Sequence, residues 1–381
     1  MNVLMLGGTG PMGIHLSRIL SKSYDVYITS RSHHENKGGI HYFHGNAKDP
    51  VFIKEVLSSE KWDCVIDFMT YKTDEFKNRI NLLLSSTSQY VFLSSSRVYA
   101  NSTNRITEES PRLLDTTEDT HYLDTDEYAL YKAREEDIIF SSNFRNYTII
   151  RPYITYAENR LPLGIWEKET WVRRLLEGKD LVLPKYFLTK ETTLAYGLDV
   201  AMYISKIIGN KESIGEIYNI VGDTSLRWED VLESYLDEIE ILTGRRPKVL
   251  KVESFVSNLK WALYYFAINF CSFGFSSKGK IRNTNYQLIY DREFDRRFDN
   301  TKLNKLVHEF HFSDNREKLK SCLKEFSNNP RYNYENWEWS AIQDKILGDY
   351  TKLNLISGYR NKLSYILIRY IIPQKYIVKF K

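Results

Sequence analysis

Tyr128 and Lys132 stand four residues apart in the stretch 127–142. On a helix, positions i and i+4 share a face, so a phenol and an ammonium stand side by side. A neighbouring ammonium favours the phenolate, which suits the pair to moving a proton near neutral pH. Taken alone, the same spacing also fits a solvated helix face. Upstream, the apolar run Tyr90 to Leu93 ends in Ser94, Ser95 and Ser96. That ending puts a hydroxyl at the rim of a sheet, where a substrate oxygen can be held; a serine-rich turn has the same composition. At the start of the chain, the apolar run Val3 to Leu6 leads into Gly7, Gly10 and Gly13, and an amphipathic run with Ile14, Leu16, Ile19 and Leu20 follows. Strand, tight glycine turn and helix N-terminus form the geometry that holds a dinucleotide pyrophosphate. Gly7 permits the turn, Gly10 lets the backbone approach the phosphates, and Gly13 lets the helix pack close to the strand.

These residues need a parallel sheet to position them. Strand signals occur at 2–6, 25–29, 40–43, 63–67, 90–94 and 147–151, with helical stretches at 12–21, 50–59, 73–86 and 127–142 between them. Such alternation predicts a doubly wound parallel sheet with helices on both faces and ligands at the C-terminal strand ends. A further helix and strand, at 193–209 and 216–221, return to the sheet. The reading divides the chain into a dinucleotide-binding domain of 1–155 plus 193–222, a smaller α+β substrate domain of 156–192 plus 223–350, and a basic tail of 351–381.

The 381 residues exceed one compact core and suffice for two domains. The net charge of +4, from 53 basic and 49 acidic residues, is too balanced to argue for nucleic acid. Three cysteines, Cys64, Cys271 and Cys322, are odd in number and far apart, which fits a reducing cytoplasm rather than a disulfide framework. The glycine-interrupted start does not read as a signal peptide. The eight histidines show no metal spacing. The segment 261–273 is apolar nearly all round and reads as a buried helix, or else as a surface for a membrane or a partner. The tail carries seven basic residues and no acid. A helix there would place Leu363, Ile366, Leu367, Tyr370 and Ile371 on one side, for docking on the protein's own body or for weak contact with an anionic membrane surface.

The three motifs, in this order and at this spacing, resemble the extended short-chain dehydrogenase/reductase family, which contains nucleotide-sugar epimerases, dehydratases and reductases. Gly7, Gly10 and Gly13 match its opening motif, and Ser95 matches its catalytic serine three residues before Val98-Tyr99. Tyr128 and Lys132 match its catalytic pair, and Arg151-Pro152 its later strand end. The resemblance extends to about residue 250. It implies a Rossmann-type sheet and a small sugar substrate. Tyr128 would be the general acid/base and Ser95 the hydrogen-bonding hydroxyl, while Lys132 would hold the nicotinamide ribose. It further implies cofactor contacts from Gly7, Gly10, Pro11, Met12, Gly13, Ser30, Arg31, Asn46, Ala47, Tyr128, Lys132 and Pro152, a cytoplasmic location and a homodimer.

Departures from the family pattern refine this reading. The second strand ends in Ser30-Arg31 where an acid marks NAD preference, so NADP is favoured, with NAD as the alternative. Thr192 and Ile154 replace residues that hold a nucleotide diphosphate in many members, which leaves Arg173, Arg174 or Arg227 as candidate clamps. Ser96-Arg97 stand where 4,6-dehydratases carry an Asp-Glu pair, so a 4-epimerase or a ketosugar reductase fits better. Glu108-Glu109 and Glu118-Asp119 read as a solvated loop. Some proteins of this extended type, including chloroplast RNA-binding ones, keep the fold without the chemistry. A non-catalytic binding protein is therefore the competing reading.

Overall fold

Alternating side chains along the strands, with both sheet faces covered by helices, decide the architecture. The computed structural model describes residues 1–255, 286–333 and 336–379. They fall into two compact units: the first comprises residues 1–157, 192–225 and 294–315, and the second 158–191, 226–293 and 316–381.

The first unit holds a seven-stranded parallel sheet of β1 (Asn2–Leu6), β2 (Asp25–Ser30), β3 (Ile40–His44), β4 (Trp62–Asp67), β5 (Thr87–Leu93), β6 (Tyr147–Pro152) and β7 (Ile217–Ile220). The order across the sheet is β7-β6-β5-β4-β1-β2-β3. Val3, Met5, Val26, Ile28, Ile66 and Val91 pack on one face, against Leu16, Leu20 and Ile204. Leu4, Leu6, Val65, Tyr90 and Phe92 pack on the other, against Ile53, Leu57, Leu83 and Ile139. The period of two along each strand supplies both layers, as burial on both faces of a parallel sheet requires. The strand order reverses between β1 and β4, which are parallel neighbours with Val3 opposite Cys64. That reversal opens a crevice at the C-terminal strand ends.

The sheet and its helices follow the predicted alternation. The stretch 73–86 is broken into two helices, Thr73–Lys77 and Ile80–Ser85. Segment 294–315, expected in the second domain, belongs to the first unit. There the Asn300 amide donates to the Val221 carbonyl at 2.6 Å, and the Tyr156 hydroxyl donates to Asn315 Oδ1 at 2.8 Å. These long-range bonds carry no local sequence signal.

In the second unit, strands Leu181–Pro184 and Val249–Val252 pair in parallel, beside helices Lys168–Leu176, Trp228–Thr243 and Trp337–Leu347. The tail is part of this unit and forms no separate region. Tyr365, Ile368, Ile372 and Ile377 are buried with Trp337, Ala341 and Ile342. The helical face predicted to dock is therefore rotated, because Tyr370 and Ile371 are exposed instead. A π-helical turn over Leu367–Ile371 changes the phase after helix Tyr359–Ile366. The aromatic segment 261–273 lies outside the described residues. Among the described residues, no helix is long and apolar enough to cross a membrane.

The glycine loop yields a stability test. A Cβ at Gly13 would lie 2.3 Å from the Gly8 carbonyl oxygen, whereas one at Gly10 meets nothing within 4 Å. Gly13→Ala is expected to lower stability by about 1–3 kcal/mol through overpacking against rigid backbone. Gly10→Ala is expected to stay within about 1 kcal/mol of wild type. Urea denaturation of the two variants measures the difference.

Candidate active site

The loop after β1 is shaped for close approach. Gly7 adopts φ +72°, a left-handed conformation that favours glycine, and its N–H donates to Thr29 Oγ1 at 3.1 Å. Helix Pro11–Leu20 begins with Gly10 as its N-cap and Pro11 at its first position, and no side chain caps it. An uncapped helix start leaves backbone N–H groups and the positive dipole end for an anion. Met12 follows on the first turn, its sulfur 3.8 Å from Thr155 Oγ1.

Ser30 and Arg31 follow along the same sheet edge. Ser30 is buried, and its hydroxyl accepts from the Ser32 N–H at 3.1 Å. Arg31 is exposed, and no ion pair among the described residues holds its guanidinium. Asn46 is exposed, and its Oδ1 accepts from the Lys48 N–H. Ala47 is buried, with its carbonyl bound by Arg79 at 3.0 Å.

The proposed catalytic side chains come together through one turn and one helix. Ser95 caps the 3₁₀ turn Ser96–Val98, its Oγ accepting from the Arg97 N–H at 3.2 Å. That turn packs on helix Tyr128–Phe140. Arg97 bridges the two elements, pairing with Glu127 at 2.7 Å and lying 5.1 Å from the centroid of the Tyr128 ring. Glu127 caps the helix through the Ala129 N–H at 2.8 Å, which places half-buried Tyr128 at the first helical position. One turn on, the Lys132 ammonium is 2% exposed and lies 4.5 Å from the Phe92 ring centroid. It is paired at 2.9 Å with the Glu135 carboxylate, which is 0% exposed. Burial pushes the Glu135 carboxyl up to about 7, with Lys132 pulling it down and Asp67 and Asp126 adding to the rise. Asp67, at the end of β4, is also raised by burial, against hydrogen bonds from the Met69 N–H and the Tyr90 and Tyr71 hydroxyls. Pro152 is buried at the end of β6.

Sequence reasoning missed the acids that support this arrangement. Glu136 is fully buried and accepts from Arg151 Nε at 2.8 Å, from Arg151 Nη2 at 2.7 Å and from the Ser94 hydroxyl. Its position four residues after Lys132, on the same helix face, is the signal that was available. Glu108, expected in a solvated loop, is buried and accepts from the Asn219 N–H at 2.7 Å. Two of the candidate clamps are engaged inside the second unit. Arg174 pairs with Asp344 and Asp349, both at 2.5 Å, and Arg173 pairs with Glu177 at 3.0 Å. Arg227 is exposed.

Arg151 and Glu136 form a bidentate pair with both partners almost wholly excluded from water. Removing one partner leaves the other charge buried and uncompensated, at a cost of about 3–5 kcal/mol. Arg151→Met is expected to lower stability by that amount, and chemical denaturation measures it. Arg31→Ala, which removes an exposed group, should leave stability unchanged in the same assay.

Comparison with known proteins agrees with this fold. The family model described as the NAD dependent epimerase/dehydratase family matches residues 3–221, more than half of the chain. A UDP-glucuronic acid 4-epimerase from Bacillus cereus, solved with UDP-glucuronic acid and NAD, is 14% identical with a TM-score of 0.59, over 86% of this chain and 99% of that one. A dTDP-glucose 4,6-dehydratase from Bacillus anthracis, solved with NAD, is 15% identical with a TM-score of 0.57, over 86% and 97%. At these identities the likeness is one of fold. The chloroplast stem-loop binding protein of 41 kDa b from Arabidopsis thaliana is 26% identical over 250 residues. The match spans 61% of this chain and 61% of that relative's length. With a Rossmann-type sheet, a glycine loop at its switch point and a family match through β7, the chain belongs to the NAD-dependent epimerase/dehydratase family of extended short-chain dehydrogenases/reductases.

Proposed function

We propose that this protein is an NAD(P)-dependent enzyme that acts on a sugar, specifically a nucleotide sugar, as a 4-epimerase or ketosugar reductase. The observation that carries the reading is Lys132, a buried ammonium one helical turn from Tyr128 whose Nζ has no partner among the described residues beyond its ion pair with Glu135. An ammonium with unused N–H groups at the sheet's C-terminal edge fits ribose hydroxyls. The space over Gly10 and the uncapped helix start fit a pyrophosphate. Gly7, Gly13, Pro11 and Met12 shape that start, while Asn46, Ala47 and Pro152 are assigned to the rest of the dinucleotide.

Bound NAD(P) supplies hydride acceptance and return at nicotinamide C4. The chain's own residues do the remainder. Ser95 Oγ, already accepting from the Arg97 N–H, keeps its own proton to donate to a substrate oxygen. Tyr128 moves the proton to or from that oxygen. The Arg97 guanidinium, 5.1 Å from the centroid of the Tyr128 ring, holds that ring in place beside the serine turn. Ser96-Arg97 leave no acid pair for removing water, which argues against 4,6-dehydration. The Ser30-Arg31 strand end supports NADP through a guanidinium–phosphate contact, although the family is named for NAD.

A second reading, RNA binding without catalysis, draws on the stem-loop binding relative. The intact Ser95, Tyr128 and Lys132 and the near-balanced charge favour the enzyme.

Two measurements test the reading. In fluorescence titrations, NADPH is expected to bind wild type more tightly than NADH. Arg31→Ala should abolish a preference of about ten- to a hundredfold; equal wild-type affinities overturn the preference. In assays with UDP- and dTDP-hexoses, read by chromatography of the epimerised sugar and, for reduction, by absorbance at 340 nm, Tyr128→Phe should bind cofactor normally and lose about 100-fold or more in turnover. A stem-loop RNA gel shift by a protein that binds neither cofactor would support the RNA reading instead.

A further inference from the structure

Helix Tyr128–Phe140 buries two consecutive acids with different surroundings. Glu136 is saturated by Arg151 and Ser94. Among the described residues, Glu135 pairs with Lys132 alone, and no other donor reaches its oxygens. On the sheet side lies a second buried carboxylate, Asp67, bonded by the Tyr71 and Tyr90 hydroxyls. The groups facing Glu135 are therefore Lys132 and Tyr131 on its own helix, Asp67 on β4, Tyr90 on β5 and Asp126 before the helix. Two carboxylates and one ammonium share a water-poor pocket. With both acids ionised the pocket is net negative by one charge, and with one proton held it is neutral.

We propose that Glu135 is a positioning residue whose protonation sets the net charge of the Lys132 seat, and so biases that seat between the oxidised and reduced forms of the dinucleotide. The proposal rests on the reading that Lys132 holds the nicotinamide ribose. The oxidised nicotinamide ring carries a positive charge and the reduced ring carries none. An ionised Glu135 stabilises the oxidised form, while a protonated Glu135 removes that preference. Glu135 is the group placed to change state, because among the described residues Lys132 is its one donor and burial pushes its carboxyl up to about 7. In Asp67, two phenol hydroxyls and a backbone N–H stabilise the ionised form.

The test is the ratio of the dissociation constants of NAD⁺ and NADH, measured by calorimetry and fluorescence from pH 6 to 8.5. Neither ligand changes its own charge in that range. Any group that touches only the adenosine end meets a part common to both ligands and cancels in the ratio. In wild type the ratio is expected to shift toward NAD⁺ by at least about threefold as pH rises, the effect of one charge at close range in a medium of intermediate dielectric. In Glu135→Gln the ratio should be flat with pH. A merely structural role for Glu135 would weaken both ligands and leave the ratio unmoved. A flat wild-type ratio, or the same slope in Glu135→Gln, overturns the proposal while leaving the cofactor site intact. Failure of wild type to bind NAD(H) and NADP(H) alike overturns the site reading itself, and the proposal with it. Should Glu135→Gln not fold, a ¹³C titration of glutamate carboxyls in wild type replaces it. A carboxyl that titrates between pH 6 and 8.5 and moves on NAD⁺ addition supports the proposal, and none in that range overturns it.

Discussion

The buried pair between Arg151 and Glu136 is the constraint on which the rest of the first unit depends. Arg151 leaves β6 and grips Glu136 on helix Tyr128–Phe140 with two nitrogens. Its third nitrogen donates to the Tyr99 hydroxyl at 2.7 Å and to the Glu108 carbonyl at 3.2 Å. Tyr99 passes its own proton to Asn219 Oδ1 on β7 at 2.8 Å, and the Asn219 N–H returns to Glu108. Helix, serine turn, loop and two strands are thereby locked in one register. Ser94 adds a bond to Glu136, and the Ser96 hydroxyl adds one to the Arg151 carbonyl at 2.6 Å. Ser95 is the serine left between two neighbours that are already committed. A buried network with every member bonded specifies one arrangement, because each alternative strands a charge in low dielectric.

The same helix shows why burial alone does not reveal a residue's role. Lys132, Glu135 and Glu136 are all nearly inaccessible to water. Glu136 has donors for both oxygens, whereas among the described residues the one polar partner of Lys132 and of Glu135 is the other. Unused hydrogen-bonding capacity is costly in a folded interior.

The likeness to a stem-loop binding protein and to sugar-nucleotide enzymes is consistent with one scaffold carrying several functions. A Rossmann-type sheet only positions its C-terminal edge; the side chains placed there decide the chemistry. In this chain that edge carries Ser95, Tyr128 and Lys132 together with the paired Arg97 and Glu127. Of the three candidate clamps, Arg174 is paired with Asp344 and Asp349 and Arg173 with Glu177.

Local patterns determined a large part of this protein. The apolar runs of β1, β4 and β5, the glycines at 7, 10 and 13 and the spacing from Tyr128 to Lys132 were legible in the sequence, because backbone geometry and helical periodicity act over a few residues. The placement of 294–315 in the first unit was decided elsewhere, by Asn300 and Asn315 bonding residues 79 and 159 positions away. The tail's buried face followed a π-turn whose phase no heptad-like pattern announces. The roles of Glu135, Glu136 and Asp67 emerged only when the helix was laid against β4, β5 and β6. A carboxylate's state depends on which charges and donors surround it after water is removed, and those neighbours are distant in sequence.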